Sequence, residues 1–183
     1  MRIIAGAHKG AGLVAPKGER TRPTTDRVRE TIFNVLAHSE DVSLEGARAL
    51  DLFAGSGALG LEALSRGASF ALFVEMAMPA RAAMRTNIDA LGLAGRTRVF
   101  RRDATRLGPS PVPPFSLVFC DPPYAKGLGE AALAAAHAGG WVAPGATAVL
   151  EERRGHAPGA IPGWALADTR AAGETVLAFF RAT

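Results

Sequence analysis

Asp51-Leu52-Phe53-Ala54-Gly55-Ser56-Gly57-Ala58-Leu59-Gly60 places G-x-G-x-x-G between an apolar run, residues 47–53, and a helical pattern, residues 58–66. A strand that feeds a glycine turn and then a helix is the opening of a nucleotide-binding α/β unit. Gly55 and Gly57 permit close backbone approach and positive φ, and Gly60 permits close packing of helix on strand. Glu75 closes the next apolar run, 18 residues after Gly57, where an acid can accept hydrogen bonds from ribose hydroxyls.

Outward from this unit the alternation continues. Residues 70–75, 97–101, 115–120 and 146–151 read as strands. Residues 25–37 and 128–138 read as helices, and Pro79 opens another with Ala80, Met84, Ile88 and Leu91 on one face. Residues 108–114 contain four prolines and read as extended loop. Residues 164–169 and 175–180 read as a terminal hairpin turned near Ala172-Gly173, and residues 1–6 and 12–16 as two short strands joined by a turn. The fold class expected is α/β, with a mostly parallel sheet and antiparallel strands at one side.

The chain has 183 residues, enough for one well-cored domain. A hydrophobic share of 48% and a mean hydropathy of +0.13 exclude a disordered chain. The single cysteine, Cys120, excludes an internal disulfide framework, and four scattered histidines (His8, His38, His137, His156) share no ligand spacing, so no metal is expected. Cys120 reads as a small core residue. Residues 131–150 lack charge but are broken by glycine and proline, so they read as buried helix, turn and strand instead of a membrane span. A cytoplasmic protein is expected.

The formal charge is +4, and residues 1–38 alone carry that excess, with seven cations against three acids. A basic segment on a neutral body fits a polyanionic partner. Arg22, Arg27 and Arg29 are the expected phosphate contacts, with Thr24 and Thr25 at an anion-friendly helix start; Arg29 could instead pair with Asp26 or Glu30.

Asp51 just before the glycine loop is awkward beside a pyrophosphate and welcome beside a cationic amine. S-adenosylmethionine carries an ammonium and a sulfonium and no phosphate, which makes it the expected cofactor. Asp51, Phe53, Ala54, Gly55, Ser56, Gly57 and Glu75 are the residues expected around it, with Asp103 and Ala104 near its adenine. A second segment, Asp121-Pro122-Pro123-Tyr124, ends the apolar run 115–120. Two prolines donate no hydrogen bonds, so nearby carbonyls stay free as acceptors. Acceptors at Asp121 and Pro122 beside the flat ring of Tyr124 suit a planar group bearing an exocyclic amine.

These motifs resemble the S-adenosylmethionine-dependent methyltransferases of the Rossmann-like class, whose amino-methylating members carry Asp/Asn-Pro-Pro-aromatic. Met1-Arg2-Ile3-Ile4-Ala5-Gly6, Arg22-Pro23-Thr24, Asp26-Arg27-Val28-Arg29-Glu30, Asp51 through Ala68, Phe73-Val74-Glu75 and Asp121 through Tyr124 together resemble the RsmD family. The resemblance implies one seven-stranded S-adenosylmethionine-binding domain, residues 41–183, with a small basic extension, residues 1–40, in the same compact unit. It also implies methylation of the exocyclic N2 of a guanine, the guanine-966 type site, in 16S rRNA of the small ribosomal subunit or its assembly intermediate. Asp121, Pro122, Pro123 and Tyr124 would be catalytic, Arg22, Thr24, Arg27 and Arg29 would hold RNA, and the protein would act as a monomer. The alternatives are a DNA amino-methyltransferase with the same chemistry and a nicotinamide-dependent oxidoreductase, which leaves Asp121 through Tyr124 unexplained. A non-catalytic RNA-binding factor is a third.

Overall fold

A computed structural model describes residues 1–17, 25–124 and 126–183. Arg22 and Thr24 therefore lie outside the described residues. The elements are α1 (Asp26–Ala37), β1 (Arg48–Leu52), α2 (Ala58–Ser65), β2 (Phe70–Val74), α3 (Met78–Ala90), β3 (Thr97–Phe100), β4 (Phe115–Cys120), α4 (Leu128–Ala138), β5 (Val142–Arg153), β6 (Trp164–Ala172) and β7 (Thr175–Ala182). The strands form a seven-stranded sheet in the order β3-β2-β1-β4-β5-β7-β6. β1 to β5 are parallel, and β7 runs antiparallel between β5 and β6. The order turns back between β1 and β4, and a crevice opens outside the carboxyl ends of strands at such a point.

Strand alternation sorts the core onto two faces. Ala49, Ala71, Phe73, Leu117 and Phe119 face a layer built from Ile32 and Phe33 of α1, Leu61 of α2 and Met84 and Ile88 of α3. Leu50, Leu52, Leu72, Val118 and Cys120 face α4, Trp141 and Trp164. Cys120 is thus a small core residue, as expected. Thr25 caps α1 by accepting from Val28 N–H at 3.2 Å, so the helix starts where the sequence places its cap.

The structure corrects the sequence reading in three places. The amino-terminal strands reduce to a single bridge, Arg2 to Gly12, with flanking bonds such as Ile3 N–H to Ala11 O at 2.9 Å. β5 starts at Val142, well before residue 146, because Pro144 and Gly145 are absorbed in a register shift against β4. Arg29 is fully buried, which removes it from the surface that RNA could reach.

Arg29 belongs to a buried ionic cluster centred on Glu62 of α2. Its guanidinium pairs with Asp26, lies 3.5 Å from Glu62 and donates to Arg2 O at 2.8 Å. Glu62 accepts Ile4 N–H at 2.9 Å, Ala5 N–H at 3.0 Å and Arg66 Nε at 2.8 Å. One buried carboxylate therefore joins the amino-terminal turn, α1 and α2. Buried ion pairs lose most when one partner is deleted, because the other charge stays buried alone. Glu62→Ala is expected to lower unfolding free energy by about 3–5 kcal/mol, read as a shift in the urea midpoint.

Candidate active site

β1 ends in the glycine loop, and the loop is held by its own backbone turns. Phe53 takes φ +56°, Gly55 +56° and Gly57 +80°. Gly57 N–H donates to Ala54 O at 2.8 Å, and Ala54 N–H reaches Val74 O at 3.1 Å. A Cβ on Gly60 would stand 2.4 Å from the Phe73 ring, so only glycine lets α2 pack this close to β2. A Cβ on Gly55 would meet nothing within 4 Å, so the space above that residue is open.

Asp51 points from β1 toward the start of α2, where its Oδ2 accepts Gly60 N–H at 2.9 Å. The side chain is buried, and its Oδ1 has no hydrogen-bond partner among the described residues. Burial pushes its carboxyl pKa well above the ordinary range; the Gly60 N–H opposes that shift, and the charges of Asp121 and Glu75 add to it. Native structures rarely leave a buried polar atom without a partner. An ammonium group beside the open glycine loop would supply that partner, so the residues fit S-adenosylmethionine.

Glu75 follows β2 and carries two backbone donors, Gly55 N–H on Oε2 at 2.9 Å and Ala77 N–H on Oε1 at 2.8 Å. Each carboxylate oxygen has a further lone pair for a ligand hydroxyl. Asp103 is exposed and caps the 3₁₀ turn Ala104–Arg106, its Oδ1 accepting Thr105 N–H at 2.9 Å and the Thr105 hydroxyl at 2.7 Å. The Thr105 hydrogen bonds hold its carboxyl pKa below the ordinary value. Ala104 is buried under that turn.

The pairing Leu52 with Cys120 sets the glycine loop and Asp121 side by side, at adjacent parallel strand ends. Pro122 is buried, Pro123 exposed, and Asp121 and Tyr124 half-buried. The Tyr124 hydroxyl donates to Glu151 Oε1 at 3.3 Å and lies 3.5 Å from Thr175 Oγ1, which itself donates to Glu151 Oε1 at 3.4 Å. Burial, first of all, raises the Tyr124 pKa. Glu151 and Thr175 escaped the sequence reading. Glu151 looked like the end of a buried strand, and only the antiparallel return of β7 brings Thr175 to the same edge. Beside this triad lies a cavity lined by Thr25, Arg27, Val28, Glu151, Gly173 and Thr175. Arg27 is therefore at the site, whereas Arg29 is not.

The chain matches the family model described as Conserved hypothetical protein 95 over residues 1–181. It is 37% identical over 182 residues to Ribosomal RNA small subunit methyltransferase D of Escherichia coli strain K12, covering 99% of this chain and 89% of that one. A solved Escherichia coli structure, yhhF, superposes with a TM-score of 0.83 at 37% identity, covering 100% of this chain and 97% of the other. An RNA methyltransferase from Salinibacter ruber, solved with S-adenosyl-L-homocysteine, shares the fold at 15% identity and a TM-score of 0.65, over 87% of this chain and 93% of that one.

Asp51 gives a pH test. Its carboxyl holds a proton to higher pH in the folded chain than the ordinary value of 3.8 for an exposed carboxyl. Between those two values the folded state binds more protons, so stability falls as pH rises through that interval. Asp51→Asn removes this loss. As pH is raised above the ordinary carboxyl value of 3.8, its urea midpoint should fall less than that of the wild type, while its affinity for S-adenosylmethionine drops.

Proposed function

Because the chain belongs to the RsmD family of S-adenosylmethionine-dependent ribosomal RNA methyltransferases, we propose that it methylates the exocyclic N2 of one guanine in 16S rRNA. The observation that carries this reading is the Leu52–Cys120 pairing. It brings an orphaned buried carboxylate, an open glycine loop and Asp121-Pro122-Pro123-Tyr124 to one crevice. The substrate is the small subunit or its assembly intermediate, reached in the cytoplasm.

S-adenosylmethionine, when bound, supplies an electrophilic methyl group on a sulfonium. Asp51 holds its ammonium, the backbone at Gly55 and Gly57 lets it approach closely, and Glu75 accepts its ribose hydroxyls. Asp103 and Ala104 border its adenine, Ala104 as part of a buried floor and Asp103 through the carboxylate that already caps its turn. Phe53, Ala54 and Ser56 complete the loop.

The guanine amine is a weak nucleophile because its lone pair is delocalised into the ring. The Asp121 carboxylate and the Pro122 carbonyl accept its two N–H bonds and turn that lone pair out of the ring plane toward the methyl. Pro122 and Pro123 stiffen the segment, so the acceptors are preorganised. Tyr124 offers its ring for stacking, and the hydroxyl bonds to Glu151 and Thr175 fix the plane of that ring. The chain's contribution is alignment, to which a displacement reaction is highly sensitive. Arg27, beside the cavity at Glu151 and Thr175, holds a phosphate of the RNA, and Arg22 and Thr24 share that task.

Labelled methyl from S-adenosylmethionine, offered to unmodified small subunits, naked 16S RNA and duplex DNA, tests the reading. Label confined to ribosomal RNA and mapped to one guanine N2 supports it; label in DNA or on another atom rejects it. Asp121→Ala should lose about 10²-fold or more in turnover with S-adenosylmethionine affinity unchanged. Tyr124→Ala should cost about 1–3 kcal/mol in kcat/KM for RNA, the worth of one base stack, with Tyr124→Phe retaining most of it.

A further inference from the structure

Residues 76–114 hold seven arginines and two acids, an excess of +5 in a chain whose net charge is +4. Three of these arginines are occupied internally. Arg81 donates to the Glu75 and Met76 carbonyls, Arg96 to Ala68 O at 3.3 Å, and Arg102 to Leu107 O at 3.1 Å while stacking over Phe100 and Trp141. Arg85, on α3, and Arg98, Arg101 and Arg106, on and after β3, are exposed, and none of the four is in an ion pair among the described residues.

Their placement is specific. Arg98 sits in β3, the outer strand of the sheet. Arg101 follows its carboxyl end, and Arg106 closes the 3₁₀ turn Ala104–Arg106. Arg101 and Arg106 therefore lie along the edge that carries the glycine loop, Glu75 and Asp121. Charge on an edge strand also guards against unwanted strand pairing, which gives Arg98 a second use. That reason does not reach Arg101 or Arg106, which lie beyond the ladder.

The centre of this edge is negative. Asp121 and Glu75 both act on Asp51 as like charges, so a phosphate backbone is repelled there. A polyanion can cross such a centre only if cations hold it on both flanks. Arg27 supplies one flank, at the cavity beside β5 and β7. β3 lies three strand spacings from β4 on the other side, about 14 Å at the usual spacing. Residues 94–114 show no exposed large apolar side chain; the exposed ones nearby, Met76 and Met78, lie before and at the start of α3, away from these arginines in sequence.

We propose that Arg98, Arg101 and Arg106 form a second phosphate-binding surface, gripping the ribosomal RNA backbone on the β3 flank of the target nucleotide. This rests on the ribosomal RNA reading above. Phosphate contacts position a substrate without reading its sequence, and each one releases counterions. The surface therefore sets how the RNA lies across the crevice and how strongly its binding depends on salt.

The test measures affinity for unmodified 16S RNA over a salt series, using the wild type, Arg98→Glu/Arg101→Glu/Arg106→Glu and single variants. The triple variant should lose at least about tenfold in affinity, and its slope of log K against log salt should shrink by about 2. KM for RNA should rise with kcat retained at saturating RNA, and S-adenosylmethionine affinity and thermal unfolding should match the wild type. Arg181→Glu, in β7 on the far side of the sheet and paired there with Asp41, is the charge-reversal control for Arg101→Glu. Equal weakening by these two single variants, or an unchanged slope in the triple variant, overturns the proposal. Wild-type protein that neither binds nor labels ribosomal RNA would instead overturn the reading on which it rests.

Discussion

Asp51 ties the end of β1 to the first turn of α2 through one buried bond, Oδ2 to Gly60 N–H at 2.9 Å, and the site is arranged around that bond. The bond requires Gly60, since any Cβ there would enter the Phe73 ring. The same bond leaves Oδ1 buried without a partner, next to a loop whose backbone bends through positive φ at Phe53, Gly55 and Gly57. An ionised Asp51 is thus disfavoured until a cation arrives, which is why burial raises its pKa. Strain of this kind is kept where a ligand relieves it. The fold holds an incompletely satisfied acid in place, and a cationic group is what would satisfy it.

A second buried carboxylate does for the amino-terminal segment what Asp51 does for the loop. Glu62 stands in the helix that the glycine loop starts, and it accepts the backbone of Ile4 and Ala5 while meeting Arg29 and Arg66. α1 is thereby fixed against α2, and Arg27 on α1 is delivered to the cavity at Glu151 and Thr175. Arg29, two residues later on the helix, turns inward to supply the counter-charge. Neighbouring arginines on one helix thus have opposite duties. One orders the fold, and its neighbour stays exposed beside the cavity.

Most of the sheet was legible in sequence because short apolar runs with glycine or proline boundaries recur from residue 47 to residue 180. β1, β2, β3 and β4 lie where their runs predict, and Thr25 caps α1 as its hydroxyl suggests. What sequence could not disclose are pairings between segments far apart. The burial of Arg29 depends on Glu62, 33 residues away, and local pattern shows only the nearer acids Asp26 and Glu30. Glu151 and Thr175 meet Tyr124 only because β7 is inserted between β5 and β6 in reverse direction. β5 was read short because Pro144 and Gly145 signal a break, whereas the sheet tolerates them as an irregularity in register.

The charge layout follows from the chemistry at the centre. On the proposed reading one carboxylate serves a cationic cofactor and one accepts from an amine, so the crevice is not itself basic. An RNA substrate carries one negative charge per nucleotide. The two demands are compatible only if cations stand to the sides and carboxylates in the middle. Residues 39–75 carry six acids against two arginines, while residues 1–38 and 76–114 are both strongly cationic. The sheet converts that order along the chain into an order in space. β1 and β4 lie centrally with their acids at the carboxyl end, β3 and its arginines lie at one side, and α1 packs near β5 and β7 at the other. An uneven charge profile that sums to only +4 is therefore the one-dimensional trace of an acidic middle of the sheet between two cationic sides.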